Sequence, residues 1–101
     1  MYVTITASRG LSSEQAERVH RFLAEFLPRL KEQLGVREIL HGASTDGRDV
    51  TTVIVWESAD DAKQYRESEL IREPIALEAE LGLTSMRDGF AVTQHLAELG
   101  P

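Results

Sequence analysis

Hydrophobic periodicity switches repeatedly along this chain, and that switching constrains the fold more than any other feature. Tyr2–Ala7 alternates, with Val3, Ile5 and Ala7 on one parity and Tyr2, Thr4 and Thr6 on the other, which is the period of a strand. From Ala16 the apolar residues recur at Val19, Leu23, Phe26, Leu27, Leu30 and Leu34, a helical stripe of roughly five turns. Val36–Ser44 and Asp49–Glu57 return to strand pattern on either side of Asp46-Gly47, a pair that favours a tight hairpin turn.

Local signals place the boundaries. Ser8-Arg9-Gly10 ends the first strand, and Ser12 can cap the long helix while Gln15 reaches back to it and Leu11 staples onto Ala16. Pro28 lies on the solvent side of the stripe and predicts a bend rather than a stop, with Gly35 closing the helix. Ser58-Ala59-Asp60-Asp61 predicts a second helix running to about Leu70, with acids at its positive end. A short third piece over Ile75–Leu81 carries Pro74 in its first turn and ends at Gly82. Met86–Leu96 supplies a last strand and 97–101 a frayed tail. The order β-α-β-β-α-β predicts a ferredoxin-like α+β fold, an antiparallel sheet with helices on one face. One domain spans 1–101, with an ordered core of about 2–96.

Composition removes several function classes. A chain of 101 residues supports a single core layer. It has no cysteine, which excludes disulfides, thiolate metal sites and a cysteine nucleophile. Seventeen acidic against 11 basic residues give −6 at pH 7, which argues against a nucleic-acid partner. No apolar run approaches the roughly 18 residues of a membrane span and no leader is evident, so a cytoplasmic, non-membrane protein is expected. His20, His41 and His95 fit no metal-ligand spacing, and no glycine-rich phosphate loop occurs, so neither metal nor cofactor is expected.

Strand parity divides the sheet residues into two sets. The more aliphatic set, Val3, Ile5, Val36, Leu40, Val53, Val55, Phe90 and Val92, is expected under the helices. The other set includes Tyr2, Thr4, Thr52, Ile54, Trp56, His41 and His95 and is expected on the open face. Such a face is too apolar to stay wet, so a homodimer is expected through it, enclosing a mixed cavity for a small hydrophobic or aromatic ligand.

The run Thr52-Val53-Ile54-Val55-Trp56-Glu57-Ser58, followed by Ala59-Asp60-Asp61-Ala62-Lys63-Gln64-Tyr65, resembles the antibiotic biosynthesis monooxygenase group of the dimeric α+β barrel superfamily. That resemblance implies a small, cofactor-independent oxygenase acting on quinols, anthrones or related polyketide aromatics. Triplet oxygen reacts slowly with closed-shell organics unless an electron-rich anion first donates an electron, so removing a phenolic or enolic proton in a dry cavity suffices. On this reading the catalytic candidates are Trp56 as aromatic wall and His41 or His95 as base; Tyr2, Thr4, Thr52, Ile54, Tyr65 and Arg66 are the substrate-binding candidates. A haem-opening branch of the group uses an Asn, a Trp and an axial His. This chain has no Asn and carries Arg66 where that His would sit, so haem opening is not expected. A non-catalytic dimeric ligand-binding or accessory module is the alternative reading, and an isomerase or cyclase of the same superfamily a third.

Overall fold

The computed structural model describes residues 1–94. Along them run β1 (Tyr2–Ser8), α1 (Ser13–Lys31), β2 (Val36–Ala43), β3 (Val50–Trp56), α2 (Ala59–Arg66), α3 (Arg72–Leu81) and β4 (Met86–Ala91). The strands form one antiparallel sheet in the order β2-β3-β1-β4, with the three helices on one face, the expected ferredoxin-like α+β architecture.

Capping explains why the helices begin where they do. Ser12 Oγ accepts from the Gln15 amide at 3.1 Å, and the Ser12 amide donates to Gln15 Oε1 at 2.8 Å, a complete capping box. Leu11 packs with Ala16, Val19 and Val50, so the staple closes the same turn. Ser58 caps α2 by accepting from the Asp61 amide at 3.2 Å. Helix α1 continues through the exposed Pro28.

Two helices end earlier than periodicity predicts. After Lys31 the backbone tightens, with Glu32 N bonding Arg29 O at 3.2 Å and Gln33 N bonding Leu30 O at 3.0 Å. Gly35, at φ +84°, then turns the chain into β2 and leaves Leu34 77% exposed, outside the stripe expected to hold it. Helix α2 stops at Arg66 rather than near Leu70 because the Ser68 side chain and amide both donate to Tyr65 O, at 2.7 and 3.0 Å. Strand β4 ends at Ala91, short of the expected extent; Leu96 and the expected tail lie outside the described residues.

The parity assignment is reversed. Trp56 and Ile54 are buried with Phe26 and Leu30 of α1 and Ala62 of α2, and Tyr2, Val36 and Ile39 pack against them. Cross-strand register puts Thr4 opposite Ile54 and Gly89, and His41 opposite Thr52, on that same helix-covered face. The aliphatic set, Val3, Ile5, Val53 and Val55, therefore faces away from the helices, with Leu40 54% and Phe90 50% exposed beside it. Val36 departs from its set because the register shifts between Val36 and Glu38, a bulge that turns Val36 toward Trp56 while Leu40 keeps the outer face.

Helix α3 contributes no buried residue. Polar ties anchor it: Arg29 Nη1 to Glu73 Oε1 at 2.8 Å, Arg18 to Glu80 at 3.2 Å, Arg87 Nη1 to Glu78 Oε1 at 2.9 Å, and Gln15 Nε2 donating to Leu81 O at 2.9 Å. It lies as a strap between α1 and the β4 edge.

Candidate functional site

Between the sheet and the helices lies a cavity of about 490 Å³. Its floor is the helix-side row of β1 and β3, with Tyr2, Thr4, Thr6, Thr52 and Ile54. Its roof is apolar, formed by Phe26, Leu27 and Leu30 of α1 with Ile71 and Pro74 near the start of α3. Tyr65 and Arg66 of α2 and Arg87 of β4 complete the wall. All six expected substrate-binding residues thus meet around one cavity, but that cavity lies within a single chain, beneath the helices, and not between two sheets.

Trp56 sits one layer deeper. It is fully buried and does not reach the cavity wall, so the aromatic wall expected from it is supplied by Phe26 and Tyr65 instead. Its indole Nε1–H donates to Thr4 Oγ1 at 3.0 Å, and its ring lies 5.6 Å from that of Tyr65. Thr4 Oγ1 accepts from the indole and keeps its own O–H available to donate. Trp56 therefore orients two wall residues, Thr4 by hydrogen bond and Tyr65 by packing.

His41 also lies outside the wall, but it is coupled to it. His41 Nδ1 is 3.0 Å from Thr52 Oγ1, and Thr52 faces the cavity. Its ring centroid is 6.2 Å from that of His20, whose Nε2 is 3.0 Å from Gly47 O. Partial burial, with the nearby His20, lowers the His41 pKa below the ordinary histidine value and favours neutral imidazole. His95 lies outside the described residues.

Three charged residues stand at the wall, Arg66, Arg87 and Asp88. Arg87 forms a two-pronged pair with Glu78, whose side chain is only 16% exposed. Arg66 has no ion-pair partner among the described residues. Asp88 stands opposite Ile5 in the register and accepts from the Gly89 amide at 3.0 Å, so its carboxylate belongs to the outer face. Burial, more than any neighbouring charge, pushes the Tyr65 hydroxyl up to about 12, which keeps it a neutral donor. Among the described residues no cluster of three His, Cys, Asp or Glu side chains is arranged to hold a metal.

Sequence reasoning missed the α1 roof and Arg87. Phe26, Leu27 and Leu30 carry an ordinary core signature, and periodicity alone does not separate a residue facing a void from one facing a neighbour. Arg87 joins the wall only through its register opposite Thr6.

No protein-family model matches the sequence and no curated protein matches it. Solved structures do. The chain is similar to a candidate antibiotic biosynthesis monooxygenase from Deinococcus radiodurans, with a TM-score of 0.85 over 94% of this chain and 95% of that one at 11% identity. It is also similar to a candidate antibiotic biosynthesis monooxygenase from Nitrosomonas europaea, with a TM-score of 0.80, 93% and 100% coverage and 13% identity. SnoaB, a cofactor-independent oxygenase from Streptomyces nogalater, matches with a TM-score of 0.64 over 95% of each chain at 20% identity. At these identities the likeness establishes a shared fold, and the resemblance read around Trp56 holds at that level.

Proposed function

We propose that this chain, which has the fold of the antibiotic biosynthesis monooxygenases, is a cofactor-independent oxygenase of a small aromatic quinol or polyketide-like compound. The observation that carries the reading is one cavity of about 490 Å³ with an apolar roof and a floor of hydroxyl groups. That size suits a fused aromatic ligand, and the hydroxyls suit its phenolic or carbonyl oxygens. SnoaB, named as a cofactor-independent oxygenase, shares the fold and supports the class.

The His41–Thr52 pair provides a route for the proton. Thr52 accepts a hydrogen bond from the acidic O–H of the substrate and passes its own proton to neutral His41 Nδ1, 3.0 Å away. His41 is exposed enough to return that proton to solvent. Thr4, held by Trp56, and Tyr65 donate to the oxygen that gains negative charge. The substrate anion gives one electron to oxygen, and the radical pair combines into a carbon–oxygen bond. Loss of water from the hydroperoxide leaves a carbonyl, so one CH₂ and one O₂ become one C=O and one H₂O with all electrons drawn from the substrate.

A second copy completes the reading. The outer face of Val3, Ile5, Leu40, Val53, Val55 and Phe90 is an apolar sheet surface of the kind that a twofold partner covers. This homodimer pairs the faces opposite the two cavities, so each cavity keeps its own mouth.

A non-catalytic binding module is favoured by one observation: no imidazole lines the cavity directly among the described residues. Oxygen uptake with a panel of anthrones and hydroquinones separates the readings. One oxygen consumed per substrate, with Thr52→Val reducing the rate about a hundredfold, supports the oxygenase. Tight binding of the same compounds without uptake supports the binding module.

A further inference from the structure

The charge pattern at the cavity wall specifies the ligand further. This step rests on reading the cavity as the ligand site. The chain as a whole is acidic, at −6, yet the cavity wall includes a single acid, Asp88, whose register opposite Ile5 turns its side chain to the outer face of the sheet. The acids from Glu67 to Glu80 are already taken: Glu67 lies 3.9 Å from Lys63, Glu69 3.1 Å from Arg72, Glu80 3.2 Å from Arg18, Glu73 is bound by Arg29 and Glu78 by Arg87. Arg66 lies among them at the wall of the cavity and has no carboxylate partner among the described residues.

The nearby uncharged polar groups reinforce this. Thr4 accepts from the Trp56 indole and keeps an O–H to donate, and Tyr65 is held as a neutral phenol, so both have O–H donors. A lone guanidinium beside hydroxyl donors, under an apolar roof, matches a flat hydrophobic body that carries a planar anion. We infer that the ligand is an aromatic carboxylic acid, bound with its carboxylate on Arg66 and its rings beneath Phe26, Leu27 and Leu30. Arginine suits this because its planar fork offers two parallel N–H bonds to one carboxylate. The plain alternative is that Arg66 only complements the C-terminal end of the α2 dipole, a role that would affect stability and not ligand choice.

The test compares 2-naphthoate with neutral 2-naphthylmethanol, which share the ring body and differ in charge. Affinities are read by calorimetry at neutral pH, and occupancy by the Trp56 indole N–H resonance, which is unique because the chain has one tryptophan. Wild-type protein is expected to bind the acid at least about tenfold more tightly, the value of one charge-assisted hydrogen bond. Arg66→Gln is expected to bring the ratio to about one while leaving affinity for the alcohol unchanged, and Arg66→Lys to keep part of it. Equal affinities in wild type, or a preference that survives Arg66→Gln, overturn the inference. So does a change in thermal stability of Arg66→Gln with the ratio intact. If the alcohol binds and the acid gains nothing, only the charge assignment falls; if neither compound shifts the indole signal nor releases heat, the cavity reading falls with it.

Discussion

The Trp56–Thr4 hydrogen bond makes the sharpest test of how the site is held. Thr4→Val keeps the shape of the side chain and removes only the acceptor for the indole N–H. Trp56 is fully buried and does not touch the cavity, so no water can replace the lost partner. A buried donor left without a partner costs about 1–3 kcal/mol. In a domain of this size that corresponds to a fall in Tm of roughly 4–8 °C for each kcal/mol. Trp56→Phe removes the donor itself, so adding Thr4→Val to it is expected to cost close to nothing. The coupling energy of the double-mutant cycle should therefore recover most of the 1–3 kcal/mol, about the whole penalty of the single Thr4→Val change. Urea unfolding followed by far-ultraviolet circular dichroism measures all four corners, because Trp56→Phe removes the only tryptophan fluorophore. An equal cost of Thr4→Val in both backgrounds would refute the reasoning, since the penalty would then come from packing and not from the orphaned N–H.

Other outcomes follow from the same geometry. If the aliphatic sheet face is covered by a second copy, the native mass is twice 11.3 kDa, and Val55→Lys brings it to 11.3 kDa with helix content retained; an unchanged mass in the variant counts against that face. Tyr65, pushed up to about 12 chiefly by burial from an ordinary 10.0, ties stability to alkaline pH. Its contribution is complete below the unfolded value and disappears as pH rises from 10 toward 12, because the unfolded chain gives up that proton first. Ultraviolet difference titration should show a tyrosine that resists ionisation until the fold is lost, and Tyr65→Phe should remove that signal.

The element order was readable because it depends on local chemistry. Ser12, Gln15 and Leu11 act on residues within one turn, and Asp46 organises its own loop by accepting from Ser44 Oγ at 2.8 Å and the Arg48 amide at 3.0 Å. Six cavity residues were also readable, because Tyr2, Thr4, Thr52 and Ile54 share a register and Tyr65 and Arg66 follow on the next helix. What could not be read was which face that register pointed to. Hydrophobicity assigned the more aliphatic set to the core, yet the set with Trp56, Tyr2 and the threonines lies under the helices.

The sequence by itself thus determined the strands, the helices and the sorting of each strand into two rows, since all three follow from the periods of 2 and 3.6 residues. Only the tertiary structure decided which row the helices cover. Their undersides bring Phe26, Leu30 and Ala62 onto Trp56 and Ile54, and the volume left over above Thr4 and Thr52 becomes the cavity. A one-residue bulge at the start of β2 further moves Val36 from one row to the other. A row that borders a cavity tolerates threonines, because their hydroxyls keep a place for a partner. The other row, with Val3, Ile5, Val53, Val55 and Phe90, has no helix over it.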